Sequence, residues 1–175
     1  MEFTFLYWLL SLHRPWLDPV MVAVTFLGEA GWFWILTGTV LACCQKTRDL
    51  GFAILISLAV GAVIGNCVLK PVFHRQRPCW IDTGVILLVS SPTDFSFPSG
   101  HTLASFEAAV SILFYNRKWG VAFLALASFI GFSRLYLFVH FPTDVLAGAL
   151  LGTGIAVAVH FLIKKLNQKS SQKTT

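Results

Sequence analysis

The sequence has few charged residues, since Asp, Glu, Lys and Arg together make up only 12% of its 175 residues. A soluble domain carries about 25% charged residues, so this scarcity argues against a soluble protein. Hydrophobic residues account for 56% of the chain, and the mean hydropathy is +0.73. Several apolar runs approach the length of about 20 residues that a helix needs to span a bilayer. The sequence therefore predicts an all-α integral membrane protein.

Cysteine is also scarce, and its placement excludes two classes of small protein. The spacing of Cys43, Cys44, Cys67 and Cys79 fits neither a zinc site nor a disulfide framework, and we expect these residues to be small buried hydrophobes. No other cluster of cysteine, histidine or carboxylate suggests a metal, so no cofactor is predicted. Residues Met1–Leu12 have neither a basic start nor a small-residue cleavage site, and no cleavable signal peptide is predicted.

The positive charges mark topology. Eight of the thirteen lysines and arginines follow apolar runs: Lys46, Arg48, Arg117, Lys118, Lys164, Lys165, Lys169 and Lys173. Short basic loops lie on the cytoplasmic side of membrane proteins. We therefore predict that three basic segments are cytoplasmic, namely the turns at 45–49 and 116–118 and the tail at 164–175. This distribution indicates membrane topology and not a nucleic-acid-binding patch. The tail is also rich in Ser and Gln, and we expect it to be disordered.

Five apolar runs form the predicted helical bundle of residues 31–163. The predicted spans are Gly31–Cys44, Leu50–Leu69, His101–Tyr115, Trp119–Val139 and Thr143–Ile163. Residues 1–30 contain two apolar runs, each too short to span a bilayer, which either lie in the interface or form one broken sixth span. With the basic turns inside, alternation brings residues 70–100 and 134–144 together on the extracytoplasmic face.

The segment from Arg134 to Asp144 places three ionisable residues between two apolar runs. Such a group costs about 2.5–3.5 kcal/mol within a bilayer even on a permissive scale, which suggests a function. A neutral His140 can act as a nucleophile if a carboxylate binds its other ring nitrogen. Asp144 is within reach if the chain turns at Pro142, which suits the first turn of a helix. Alone, the pattern favours a structural His–Asp pair at a helix start.

The segment Pro98-Ser99-Gly100-His101 has the features of a helix start. Ser99 is a candidate N-cap, and Gly100 leaves the backbone open to close approach. Free backbone N–H groups at a helix start form an anion site. His101 in the first turn could protonate a leaving oxygen as a general acid. The alternative is an ordinary capped helix with an interfacial histidine.

Two cations, Lys70 and Arg77, flank the loop that follows the second predicted span. Both residue types bind phosphate, although such residues at span ends also commonly reach toward the interface. For Arg75 and His74 in the same loop, contact with substrate is the less favoured interpretation. With Arg134 and the two histidines, these cations supply what phosphoryl transfer needs without a metal.

These three segments resemble the signature of the type 2 phosphatidic acid phosphatase superfamily, KxxxxxxRP, PSGH and SRxxxxxHxxxD, in order and spacing. The matching positions are Lys70…Arg77-Pro78, Pro98-Ser99-Gly100-His101 and Ser133-Arg134…His140…Asp144. A triple match favours catalysis over the structural alternatives. The resemblance implies an all-helical core of usually six spans and a phosphohistidine intermediate without a metal. It implies that His140 is the nucleophile, that His101 is the general acid and that Asp144 orients His140. The implied phosphate-binding residues are Lys70, Arg77, Ser99, Gly100 and Arg134.

The expected function is therefore a membrane lipid phosphatase. Its substrate would be a lipid phosphate or diphosphate monoester such as undecaprenyl diphosphate, phosphatidylglycerol phosphate or phosphatidic acid. The alternatives are a phosphotransferase and a phospholipid-binding or transport protein without turnover. Four further interpretations concern single features. Residues Cys79–Phe97 are expected to form a lid or a substrate-entrance element that dips into the interface. Glu107 is expected to hydrogen-bond a neighbouring helix, and Asp82 and Asp94 are expected to be solvated loop residues and not catalytic ones.

Overall fold

The protein is helical throughout its regular structure. The computed structural model describes residues 1–173, with side chains up to residue 169, and this part of the chain contains no β-strand. The α-helices are α1 (Glu2–Ser11), α2 (Leu17–Phe26), α3 (Trp32–Cys43), α4 (Arg48–Gly61), α5 (Lys70–Phe73), α6 (Pro78–Ile81), α7 (Gly100–Tyr115), α8 (Arg117–Tyr136) and α9 (Pro142–Lys173). A 3-10 turn (Glu29–Gly31) precedes α3, and a π-helix (Ala62–Leu69) joins α4 to α5.

Helix α7 is the centre of the bundle, because α4, α8 and α9 all pack against it, while α3 pairs mainly with α4. The small residues of α4 allow the close approach that the sequence predicts. A Cβ at Gly51 would collide with the backbone of Ala42 on α3. The side chains of Trp34, Ile54 and Ile130 fill the space between these helices and are fully buried.

The two ends of the bundle differ in chemistry. At one end, which we call the basic end, α4 and α8 begin at Arg48 and Arg117. Helix α9 reaches the same end, because the Asn167 amide donates a hydrogen bond of 2.8 Å to Asp49. The other end, which we call the site end, carries residues 70–100 and 134–144. The predicted meeting of these two segments is confirmed by the hydrogen bond of 3.1 Å that Ser99 N–H donates to the Asp144 carbonyl.

The N-terminal region forms two short helices that are separated at Pro15. Both ends of this region lie at the site end of the bundle. Glu2 accepts a hydrogen bond from the Thr143 hydroxyl at 2.7 Å, and Glu29 lies 3.5 Å from His101. Apolar side chains hold α1 in place, since Leu6 and Leu9 are fully buried against the segment that follows α8.

Three helical segments of the described chain are long and apolar enough to cross a membrane: Arg48–Ile81, Arg117–Tyr136 and Pro142–Lys169. The bent pair Leu17–Phe26 and Glu29–Cys43 raises this number to four if it forms one span. Helix α7 has 16 residues, which at 1.5 Å per residue is about 24 Å, shorter than the hydrocarbon core. Five or six spans therefore stays a prediction.

Two sequence-based expectations about the fold are wrong. Residues 164–173 of the basic tail continue α9 as helix, which agrees with the helix propensity of their Lys, Leu and Gln residues. Residues 174 and 175 lie outside the described part. Cys79 is buried as expected, but Cys43, Cys44 and Cys67 are exposed.

Candidate active site

The turn between α8 and α9 brings His140 and Asp144 together. Helix α8 ends at Tyr136, Phe138 adopts a positive φ of 59°, and α9 begins at Pro142. Asp144 therefore lies in the first turn of α9, as the sequence predicts, and its Oδ2 accepts the Phe141 N–H at 2.8 Å. The distance from His140 Nδ1 to Asp144 Oδ2 is 3.5 Å, and both side chains are buried.

Ser96 completes this pair, and the sequence analysis missed it. Its hydroxyl donates to Asp144 Oδ2 at 2.6 Å and lies 3.4 Å from His140 Nδ1. On the other side of the ring, Arg77 Nη1 lies 3.0 Å from His140 Nε2. An imidazole with its proton on Nδ1 satisfies both sides, since Nε2 then accepts from the guanidinium. The one available signal was position, because Ser96 lies only two residues before the Pro98–His101 segment.

The Pro98–His101 segment begins α7 as predicted, with Ser99 at the N-cap position. The expected cap is wrong in detail, however, because the Ser99 hydroxyl accepts a hydrogen bond from Thr102 Oγ1 at 3.0 Å and makes no cap bond to the backbone. Gly100 lies next to Lys70, since a Cβ placed at Gly100 would lie 3.7 Å from Lys70 Nζ. The segment thus lies beside both other predicted segments.

His101 lies in the first turn of α7, and its Nε2 is buried without a hydrogen-bond partner among the described residues. The Glu29 carboxylate is 3.5 Å from this nitrogen. Gly28 packs directly against the ring, because a Cβ at this position would lie 2.7 Å from His101 Cδ2. The turn before α3 therefore helps to position His101, although the sequence analysis gave this turn no role in the site.

Lys70 and Arg77 share one carboxylate, that of Asp94. Lys70 Nζ forms an ion pair with Asp94 Oδ2, and Arg77 Nη2 donates to Asp94 Oδ1 at 2.8 Å. Partial burial alone would raise the pKa of Asp94, but the hydrogen bonds and charges of Lys70 and Arg77 lower it to about 2. Asp94 is a half-exposed loop residue, as expected, and it also binds two cations of the site.

Arg134 is the third cation of the site and is almost completely buried. Its Nη1 donates to Thr25 Oγ1 on α2 at 2.7 Å, while its Nε has no hydrogen-bond partner among the described residues. A guanidinium that is buried with an unused donor is suited to bind an anion.

A cavity of about 350 Å³ joins these groups. Among the predicted site residues, those that line it are Lys70, Arg77, Gly100, His101, Arg134 and His140. Ser99 and Asp144 do not line the cavity. They lie behind the residues that line it, where Asp144 contacts His140. Away from the cations, the wall continues along apolar side chains, namely Ile35, Leu58, Ala62, Leu103 and Ala104. The cavity therefore combines a cationic end with an apolar wall.

Glu107 lies on this wall and is buried, with Oε1 lacking a hydrogen-bond partner among the described residues. The expected hydrogen bond to a neighbouring helix is absent there, and Glu107 Oε1 instead packs against Gly61 of α4, where a Cβ would collide with it. Within the part of the chain that the structure describes, no group of three or more His, Cys, Asp or Glu residues could hold a metal ion.

Burial and charge both favour the neutral form of His140. Its complete burial, followed by the positive charges of Arg77, Arg134 and Lys70, lowers the pKa of His140 well below its ordinary value. A neutral imidazole retains the lone pair that a nucleophile needs. The fold and the site together define an α-helical membrane protein with the chemical groups of a phosphoryl-transfer enzyme.

Comparison with known proteins agrees with this class. A model of the PAP2 superfamily matches residues 47–168. An undecaprenyl-diphosphatase of Sulfolobus acidocaldarius is 36% identical over 141 residues, which cover 80% of this chain and 68% of the relative. Phosphatidylglycerophosphatase B of Bacillus subtilis is 32% identical over 173 residues, covering 90% and 79%. The crystal structure of a PAP2-type phosphatidylglycerolphosphate phosphatase from Bacillus subtilis aligns with a TM-score of 0.74 at 29% identity, covering 94% of this chain and 83% of that chain.

The chain belongs to the PAP2 superfamily. Its relatives are lipid phosphatases, which are hydrolases of phosphate monoesters or diphosphates, and the chain is a hydrolase of this type. The resemblance that the three sequence segments indicate is thereby confirmed.

Proposed function

We propose that the protein removes phosphate from a membrane lipid that carries a phosphate or diphosphate monoester, through a covalent intermediate on His140. The observation that carries the proposal is the cavity, which brings two histidines and three cations to one end of an apolar wall. The cations match a phosphate group, and the apolar wall matches the lipid chain attached to it.

In the first step, His140 Nε2 attacks phosphorus and the bond from phosphorus to the leaving oxygen breaks. His101 donates a proton to that oxygen, and Asp144 stabilises the positive charge that develops on the His140 ring. In the second step, neutral His101 takes a proton from water, whose oxygen attacks phosphorus. The bond from phosphorus to His140 breaks, and inorganic phosphate is released.

Three fixed cations would stabilise the charge of the transferring group. Lys70, Arg77 and Arg134 can neutralise its non-bridging oxygens, while the backbone N–H groups at the start of α7, near Ser99 and Gly100, bind the same anion. Transition-state stabilisation of this kind is the larger part of catalysis in phosphoryl transfer. The three cations supply the positive charge that a metal ion provides in other phosphoryl-transfer enzymes.

The candidate substrates are undecaprenyl diphosphate, phosphatidylglycerol phosphate and phosphatidic acid. The names of the relatives support the first two, and the apolar wall near Leu58 and Leu103 supports a lipid over a soluble phosphate ester.

The distribution of Lys and Arg supports a site on the extracytoplasmic face with the C-terminus in the cytoplasm. Since Glu2 and Glu29 lie at the same end of the bundle, we propose that residues 1–30 stay at the interface and residues 31–163 form the catalytic domain with five crossings.

The proposal is tested by measuring phosphate release from these three lipids with purified protein in detergent and excess EDTA. We expect turnover of at least one lipid at the same rate with and without EDTA, because the charge of the phosphate is met by side chains. Loss of activity in EDTA that added metal restores contradicts the metal-independent mechanism. Transfer of phosphate to an added lipid or sugar alcohol in preference to water would instead identify a phosphotransferase.

The ion pairs of Asp94 predict an effect on phosphate binding. A bound phosphate must compete with this carboxylate for Lys70 and Arg77. We expect Asp94→Asn to strengthen inhibition by inorganic phosphate by about three- to tenfold, because the variant keeps the shape and loses the negative charge. The pKa of Asp94 is lowered to about 2, so the ion pair is present above that pH and the effect should be constant near neutrality. Asp82→Asn is the control and should be inhibited by phosphate as strongly as the wild type. If phosphate inhibits Asp94→Asn no more strongly than it inhibits the wild type and this control, the competition is contradicted.

A further inference from the structure

Arg75 connects the N-terminal helix to the paired His140 and Asp144. Its Nη1 donates to Asp144 Oδ1 at 2.7 Å and to the Thr143 hydroxyl at 2.6 Å. Its Nη2 donates to Glu2 Oε2 at 2.6 Å. The guanidinium also lies over the Phe141 ring, 4.3 Å from its centroid. One side chain thus contacts three residues of the 141–144 turn and one residue of α1.

Glu2 binds the start of α9 from a separate helix. Its Oε1 accepts hydrogen bonds from the Thr143 N–H at 3.2 Å and from the Thr143 hydroxyl at 2.7 Å. The first N–H groups of a helix have no partner within that helix, and negative charge is favourable there. Partial burial alone would raise the pKa of Glu2, but hydrogen bonds from Thr143 and the charge of Arg75 lower it. Glu2 is therefore a charged partner of both Arg75 and α9.

The contacts of Asp144 show what Arg75 contributes. Oδ2 of this carboxylate binds Ser96, the Phe141 N–H and the His140 ring, whereas Oδ1 has Arg75 as its hydrogen-bond partner. A carboxylate held at both oxygens cannot rotate about its terminal bond. Without Arg75, the carboxylate would be held at Oδ2 alone, and its alignment with His140 Nδ1 would be less firmly fixed.

Arg75 is separate from the phosphate-binding end of the site. Lys70, Arg77 and Arg134 line the cavity, whereas Arg75 does not. Because Arg75 does not line the cavity, we expect it to influence the reaction through Asp144 and not by binding the phosphate group.

We propose that Arg75 and Glu2 are positioning residues that hold Asp144, and through it His140, in the geometry for attack. This makes α1 a working part of the catalytic site. The inference rests on the proposed function, in which His140 is the nucleophile.

Helix α1 has other contacts that hold it in place independently of Glu2. The Phe3 ring packs edge-on against Phe141 at 5.3 Å, and the Tyr7 hydroxyl donates to Asp82 Oδ2 at 2.8 Å. Replacing Glu2 by glutamine should therefore leave α1 bound. Asp82→Asn is a matched control, because it weakens a polar contact of α1 that does not reach Asp144.

The test compares Arg75→Gln, Arg75→Lys, Glu2→Gln and Asp82→Asn in full-length protein with any tag at the C-terminus. For each variant, kcat and KM for the lipid phosphate, the inhibition constant of inorganic phosphate and the melting temperature are measured. We expect R75Q to lower kcat by about 10- to 100-fold, the size of effect seen when an orienting group is lost. Inhibition by phosphate should stay within about twofold, because Arg75 does not touch the cavity.

The other variants give graded results. R75K should recover part of kcat, because lysine keeps the charge but lacks the planar fork that binds Glu2 and Asp144 through two separate nitrogens. E2Q should lower kcat by about three- to tenfold, and the double variant E2Q/R75Q should be no worse than R75Q alone, as expected for two members of one chain of contacts. D82N should keep wild-type kcat.

Three results would overturn the inference alone while the wild type is active and H140A is not. The first is a wild-type kcat in both R75Q and E2Q. The second is a decrease of kcat in D82N as large as that in E2Q. The third is an R75Q variant with unchanged kcat and weaker inhibition by phosphate. If R75Q does not fold, the isosteric E2Q and the charge-retaining R75K decide the same question. A wild type that releases no phosphate from any lipid contradicts the proposed function, and the inference falls with it.

Discussion

Replacing His140 by alanine is expected to reduce phosphate release by about 10⁴-fold or more while the protein stays folded. Loss of a nucleophile that forms a covalent intermediate removes the whole reaction path and not one contribution to it. The lipid should still bind, because Lys70, Arg77 and Arg134 remain. Activity is measured as phosphate release at saturating lipid, with folding checked by melting temperature.

His160→Ala is the matched control for this substitution. His160 stacks on Phe114 at 4.1 Å between ring centroids, on the part of α9 that leads to the basic end, and it does not line the cavity. The H160A substitution also removes an imidazole, but at a position outside the site, so the kcat of this variant should stay close to that of the wild type. More than a tenth of wild-type activity in H140A, or an equal loss in H160A, is incompatible with His140 as the nucleophile.

Replacing His101 by alanine is expected to have an effect that depends on the leaving group. A general acid contributes about 10²- to 10⁴-fold, and its help matters most when the leaving oxygen is a poor leaving group such as a lipid alcohol. We expect a loss of this size with phosphatidic acid. With p-nitrophenyl phosphate, whose leaving group needs no protonation, the first step should be nearly as fast as in the wild type.

The second step should then become slow in the same variant, because His101 also activates water. Rapid mixing of H101A with p-nitrophenyl phosphate should give a burst of nitrophenol followed by slow turnover. A lipid diphosphate, whose leaving group is itself a phosphate, should fall between the two substrates. An equal loss of the first step with all three substrates would show that His101 does not act as the acid.

The placement of the candidate site residues could be predicted from the sequence because it depends on local spacing. Pro142 fixes where α9 begins, and that places Asp144 one helical turn from His140. The alternation of apolar runs and basic turns places residues 70–100 beside residues 134–144. The start of α7 at Gly100 follows in the same way from the residues around it.

The residues that surround the site could not be predicted, because their roles depend on contacts between distant parts of the chain. Ser96 reaches Asp144 across 48 positions, and Arg75 reaches it across 69. Glu2 and Thr143 are 141 positions apart. No periodicity or spacing encodes such pairs. For the same reason, Asp94 resembled a solvated loop residue until the fold placed it against Lys70 and Arg77.

The role of the N-terminal region was hidden for a different reason. Its two apolar runs are too short to span a bilayer, and composition alone could not choose between a broken span and interfacial helices. The structure places Thr25 against Arg134, Gly28 against His101 and Glu2 against Arg75. A region that looked peripheral in the sequence thus contacts three residues in or next to the candidate site.

Formation of a phosphohistidine at His140 is the step on which the proposed mechanism depends. It can be measured by mixing purified protein with radiolabelled lipid phosphate, stopping the reaction with alkali to preserve the bond between nitrogen and phosphorus, and locating the label by peptide mass spectrometry. We predict a transient label on His140 that is present in H160A and absent from H140A. Full turnover with no labelled histidine, or with the label on any other residue, would contradict the mechanism.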